Sequence, residues 1–310
     1  MKLIEFSSKF PSEQSCQEYF KQYRDKQGVI CPKCGCTAHY FSNGKSPHYQ
    51  CKACGRRQSL RAYTIMHHSH LSFQQWFLCM HLLTSTKTSL SASEIQRQLG
   101  RKHYRCVWEM VQKIRNAMHK QECEFKLTGD IEIDEAFFDI GEDKLCPVLV
   151  MAESKPVYKS KYTTKRIFGR LKMLTMMSKS KDSITFTALP HIDSNAILQG
   201  DGTASHNGLK KYVAEVKRHV MRNNDELNAL LPWVHISIGH MKNQMRDVYH
   251  CIKRNYLQLY LSEFCWKKNR RTEDDLFPCL LDLAVRWRND WWPIRKVDWS
   301  ALAGLMTGKI

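Results

Sequence analysis

At 310 residues the chain is long enough for two or three domains and for a main core that needs no disulfide support. Forty-eight Lys and Arg against thirty Asp and Glu leave a formal charge of +18, spread along the whole chain, and a field of that sign favours a polyanion, nucleic acid ahead of an anionic membrane surface. No lysine-rich amphipathic helix or lipidation motif supports the membrane alternative, no stretch is apolar enough to span a bilayer, and the scattered cysteines fit a reducing cytoplasm, so the expectation is a soluble, untargeted cytoplasmic protein.

Residues 1 to 28 hold Phe6, Phe10, Tyr19, Phe20 and Tyr23 in a polar stretch that predicts a short helix from Ser12 to Lys26. Two Cys-x-x-Cys pairs follow, Cys31-Pro-Lys-Cys34 and Cys51-Lys-Ala-Cys54, separated by sixteen residues. That spacing is a zinc ribbon over about 29 to 62, in which four thiolates close the metal's coordination sphere and leave it a structural role. Gly35 and Gly55 supply the sharp bend after each pair, and Tyr49 and Gln50 read as a short strand. Cys36 and His39 are spare ligands, and a redox dithiol does not explain two pairs at this distance.

Next come three helical patterns: Phe73, Trp76, Phe77 and Met80 behind a Ser72 cap, then Ala92 to Leu99, then His103 to His119, the last two split by Gly100-Arg101-Lys102. Helix, glycine turn and longer basic helix make a helix-turn-helix outline, with Arg101, Lys102, His103 and Arg105 placed where a recognition helix meets DNA and Val107, Val111 and Ile114 facing inward. A small helical packing unit explains the same pattern. Lys113, Arg115 and Lys120 equally suit phosphate contacts or solvation.

At Asp130-Ile-Glu-Ile-Asp134 the period becomes two, the mark of a strand with its acids on one face. Val148 to Met151, Leu171 to Met176, Ile184 to Ala188 and Ile197 to Gly200 add short apolar or alternating runs, and Leu209 to Val220 reads as a helix, which together predict an α/β domain with a mixed sheet. Three acids on one strand face need compensation, by Lys and Arg or by a divalent ion at Asp134. Asp201, between Gly200 and Gly202 at a strand end, is the second candidate. A long helical pattern then starts near Trp233 and runs through Tyr249, Leu257, Tyr260 and Phe264. On a helix His235 and Lys242, seven residues apart, share a face from which His240 is turned by about 140°.

These landmarks resemble the ISXO-like insertion-sequence transposases: Tyr49 to Arg56 in the ribbon; Trp76-Phe77, Ser91 to Gly100, Trp108 and Lys113 to Arg115 in the helices; Ile133-Asp-Glu135, Asp201-Gly202, Leu231 to His235, Tyr249-His250, Leu257 to Phe264 and Asn269 to Arg271 beyond. The resemblance implies a zinc ribbon over 1–62 with its N-terminal helix, a helical DNA-binding segment over 63–124, an RNase H-like core over 125–285 and a Trp-rich extension over 286–310. It implies that Asp134 and Asp201 are the first two acids of a DDE-type site holding Mg²⁺ or Mn²⁺, with His235 in the third acid's place and Lys242 beside the scissile phosphate. An imidazole there favours the softer Mn²⁺. Glu135, turned by alternation to the other sheet face, is expected to support the site.

The function so implied is binding of terminal inverted repeats followed by metal-dependent strand cleavage and transfer, by a homo-oligomer assembled on DNA at the bacterial nucleoid. The missing third acid keeps one alternative open, a domesticated transposase acting as a DNA-binding regulator.

Overall fold

The computed structural model describes residues 1–288 except 45, 142–143, 161–162 and 220–229. These fall into two compact units, residues 1–117 with 272–288, and residues 118–271. Of the Trp-rich end, Trp291, Trp292 and Trp299 lie outside the described residues.

The first unit begins with α1 (Leu3–Lys9) and α2 (Glu13–Gln27), the latter capped by the Ser12 hydroxyl, which accepts from Ser15 N–H at 3.2 Å. An antiparallel sheet follows, β1 (His39–Ser42), β2 (His48–Cys51) and β3 (Arg57–Ser59), in that order. Then come α3 (Phe73–Ser85) with Ser72 as its cap, α4 (Ala92–Gln98), and α5 (Tyr104–Cys123), whose residues to Ala117 belong here. Residues 272–288 return as α9 (Leu276–Arg286), whose Phe277 ring lies 5.6 Å from both Phe10 and Phe77. The core is aromatic because each helix contributes one apolar stripe; Phe20, Trp76, Phe77 and Phe277 are fully buried. Glu13 fixes the start of α3 by accepting from the Phe73 and Gln74 N–H groups, both at 2.9 Å.

The second unit is built on a five-stranded sheet of order β6-β5-β4-β7-β8. Strands β4 (Asp130–Asp139), β5 (Leu145–Ser160) and β6 (Thr163–Thr175) run antiparallel, whereas β7 (Ile197–Asp201) and β8 (Glu215–His219) run parallel to β4. The even-numbered side chains of β4 face α7 (Pro232–Gln244) and α8 (Arg254–Asn269) over a core that includes Ala136, Phe138, Val148 and Val150. The odd-numbered Ile131 and Ile133 face α6 (Lys181–Ala188) and the 3-10 segment Ala204–Lys211. Both sheet faces are covered there, so β5 reads as a continuous apolar run from Leu145 to Ala152.

Three segments differ from their sequence patterns. Ile184–Ala188 is helical, because Ile184 and Ala188 are both buried four residues apart while Phe186 between them is 67% exposed. Leu209–Val220 is not one helix: the spacing of Leu209, Val213 and Val216 mimics a helical stripe, but residues 215–219 gain a parallel ladder with β7. The long pattern from Trp233 breaks after Gln244 through a π turn at Met245–Tyr249 and a left-handed His250 (φ 59°), and α8 starts afresh at Arg254. Arg115 and Lys113 are also buried, Lys113 donating to the His67 carbonyl at 3.3 Å, so neither is a solvated phosphate grip.

Candidate active site and zinc centre

The two knuckles are built alike. In the first, Gly35 N–H donates to the Cys31 carbonyl and Cys31 N–H to the Cys36 carbonyl, both at 2.9 Å; in the second, Gly55 donates to Cys51 at 3.0 Å and Cys51 to Arg56 at 2.9 Å. Both glycines sit at positive φ, +72° and +69°, which a side chain would strain. The sulfurs of Cys31 and Cys54 are 3.5 Å apart and those of Cys34 and Cys51 3.6 Å, and all four lie within 4.8 Å of one another. A tetrahedral zinc with bonds of about 2.3 Å needs sulfur separations of about 3.8 Å, so the set fits a structural zinc. The Cys54 backbone N–H, working against burial and helped by the Ala53 N–H and the sulfurs of Cys34 and Cys54, brings the Cys51 thiol down to about 6. Cys36 is turned away, its sulfur 3.7 Å from the Ala38 carbonyl, and His39 Nδ1 is engaged with the Thr37 carbonyl at 2.9 Å.

The acids of β4 have divided roles. Glu132 is fully buried and accepts from the Trp233 and Val234 N–H groups at 2.8 and 3.0 Å, so it fixes the first turn of α7. Burial raises its carboxyl above the ordinary value, against hydrogen bonds from Ser154 and those two amides. Asp130 accepts from Gln199 Nε2 at 3.1 Å. Asp134, two residues beyond Glu132 on the same face, presents Oδ2 to His235 Nε2 at 3.3 Å and takes the Glu135 N–H on Oδ1 at 2.8 Å.

Asp201 stands next to this pair by register. Ile133 is level with Gly200 on the parallel strand β7, so Asp134 and Asp201 each follow the last aligned residues of neighbouring strands. Asp201 Oδ1 is held by the Thr203 hydroxyl. Among the described residues the four cysteines are the one group of three or more potential metal ligands, and Asp134, Asp201 and His235 do not form a second. Lys242 is exposed on α7. His240 points elsewhere, its Nδ1 3.2 Å from Lys268 Nζ, in agreement with the helical-wheel argument that separated it from His235.

On the other face Glu135, its side chain 3% exposed, meets His206 Nε2 at 2.7 Å and Lys179 Nζ at 3.4 Å. Burial alone would raise this carboxyl; hydrogen bonds and charge from His206 and Lys179 outweigh it and hold the group below its ordinary value. His206 packs under Gly200, where an added Cβ would come within 2.7 Å of its Nδ1. Glu135 and His206 thereby tie the middle of β4 to the chain that follows Asp201. Sequence reading missed His206, and the glycine at 200 was its only trace.

Arg101, Lys102 and His103 occupy the exposed turn before α5 rather than its first helical residues. Gln96 Nε2 donates to the Arg101 and Lys102 carbonyls at 2.9 and 3.2 Å, which fixes that turn, and Arg105 pairs with Glu109 at 3.2 Å.

Comparison with known families gives two matches: residues 126–269 to the ISXO2-like transposase domain and residues 11–57 to the transposase zinc-ribbon domain. The chain thus holds one region similar to an ISXO2-like transposase domain and one similar to a transposase zinc ribbon. The four cysteines lie inside the ribbon match, and Asp134, Asp201, His235 and Lys242 inside the transposase-domain match. A relative from Halobacterium salinarum, described as an uncharacterized protein in transposable element ISH50, is 28% identical over 134 residues, which cover 43% of this chain and 44% of that protein. No helix among the described residues is long and apolar enough to cross a membrane.

Proposed function

We propose that this protein binds the terminal inverted repeats of an insertion sequence and cuts and rejoins DNA strands at a site made by Asp134, Asp201, His235 and Lys242. The observation that carries the reading is the placement of Asp134, within β4, beside Asp201 at the end of the parallel strand β7, with His235 at 3.3 Å from the first. The sheet supports an RNase H-like core, since three antiparallel strands are extended by two that run parallel to the first. The helices α4 and α5 with their exposed turn support a helix-turn-helix, in which Arg101, Lys102 and Arg105 meet DNA.

In this reading residues 1–62 and 63–124 grip the element ends, and the segment from 125 carries the chemistry. Asp134, Asp201 and His235 would hold a catalytic Mg²⁺ or Mn²⁺, which supplies activation of the attacking oxygen and neutralisation of charge on the phosphate. The donor set suits such an ion: two hard carboxylates and one imidazole, with His235 Nε2, the ligating atom, already turned to the Asp134 side. Thr203 holds only Oδ1 of Asp201, which leaves that carboxylate lone pairs with which to join them. Glu132 holds His235 in place through the start of α7, and Lys242 lies two turns further along the same face for a backbone phosphate. The protein acts as a homo-oligomer, because two element ends must meet, and it works at the nucleoid.

Strand cleavage of inverted-repeat duplex with Mg²⁺ and with Mn²⁺ tests the proposal. Asp134→Asn and Asp201→Asn should abolish cleavage while end binding persists; His235→Ala should lose most activity, and His240→Ala little. Cleavage by the unmutated protein with neither ion would leave a DNA-binding regulator as the better description.

A further inference from the structure

The exposed face of the ribbon sheet is a second surface with a defined chemistry. Directly opposed residues in an antiparallel sheet share a face, and two rows run across all three strands: Tyr40, Gln50 and Arg57, then Ser42, His48 and Ser59. The other face holds Tyr49 and Gln58, both buried, with Tyr49 donating to Asp25 of α2 at 2.8 Å. Tyr40 is 64% exposed, Arg57 is exposed, and no aliphatic side chain stands in either row. Lys52 Nζ lies 4.7 Å from the Tyr40 ring centroid, which sets an ammonium beside the first row.

Charge selects the occupant. From Lys26 to Ser93 the sequence contains no acidic residue and eight Lys and Arg, so the ribbon lies within an acid-free, basic stretch. A zinc held by four thiolates carries a local charge of about −2, which these cations exceed. Three strands about 4.8 Å apart make a backbone ribbon about 10 Å wide, against a major groove of about 12 Å. Gln and Arg are the side chains that hydrogen-bond two atoms of one base at once, adenine and guanine respectively, and here they are cross-strand neighbours.

We infer that this face enters the major groove of duplex DNA and that Gln50 and Arg57 read base edges there, with Tyr40 and Lys52 at the flank. The inference rests on the reading that the protein binds element ends, and assigns part of its sequence preference to the ribbon rather than to the turn at Arg101.

The test uses the full, zinc-loaded protein with an element-end duplex and a scrambled duplex of equal length. Gln50→Ala and Arg57→Ala should each reduce the preference for the end duplex by about 5- to 150-fold, the value of one two-point base contact. Arg57→Lys, which keeps the charge and loses the planar fork, should retain scrambled-duplex binding and lose the preference. Zinc content and thermal unfolding should match the parent. Parental preference in all three variants overturns the inference while leaving end binding intact. Equal loss on both duplexes, with preference unchanged, assigns the face to phosphates and overturns base reading. A parent that does not distinguish the duplexes removes end recognition itself.

Discussion

Replacing Glu135 by Ala is expected to loosen the part of β4 that carries Asp134 and the end of β7 that carries Asp201. Its carboxylate lies 2.7 Å from Nε2 of a His206 that is itself fully buried, so truncation strands a buried polar ring under Gly200. Leaving a buried polar group without its hydrogen-bond partner costs about 1–3 kcal/mol. Lys179 is 44% exposed, and its share of that, like other solvent-screened pairs, is about 0–1 kcal/mol. Glu135→Gln keeps an oxygen to accept from His206 and exchanges a charge-assisted bond for a neutral one, a loss of about 1 kcal/mol. Urea unfolding of the two variants, with amide exchange at Asp134–Glu135 and Gly200–Thr203, separates local loosening from a global change. Displacement of a reacting group by about 1 Å costs on the order of 100-fold in rate, so Glu135→Ala should cleave at about that reduced level where still folded. The reasoning is wrong if Glu135→Ala and Glu135→Gln unfold at the same urea concentration and exchange at those amides is unchanged.

Chelation of zinc, or Cys51→Ser, should unfold the ribbon and remove end binding, while Cys36→Ser should leave zinc content at one per chain by metal analysis. Burial, then the nearby Lys172, holds His119 near 4, against an ordinary 6.5. The folded value is the lower one, so this neutral imidazole contributes stability that is complete above about 6.5 and is lost as pH falls towards 4, by at most about 3 kcal/mol. His119→Gln should flatten that part of the pH–stability curve measured by urea midpoint, and an unchanged curve would contradict the assignment. Glu132→Ala should raise amide exchange at Trp233 and Val234 and destabilise α7, because both N–H groups lose their acceptor.

The zinc ligands, the helix near Ser12, the cap at Ser72 and the acidic face of β4 were legible in the sequence because each is a local pattern: a spacing, a cap or an alternation decided within a few residues. The separation of His235 from His240 belongs with them, since helix geometry alone turns them apart. The rest depended on partners distant in the chain. Leu209–Val220 has a helical stripe, yet the free edge of β7 claims residues 215–219 as a strand. Arg115 looks like a surface cation and is buried by tertiary packing. Residues 276–286 return to the aromatic core of the first unit, a choice made by Phe277 meeting Phe10 and Phe77 from far along the chain. Only the parallel pairing of β4 with β7 puts Asp201 beside Asp134, and only packing sets His206 beneath Gly200. Periodicity fixes which face a side chain takes, whereas its neighbour on that face is chosen by long-range burial and strand pairing.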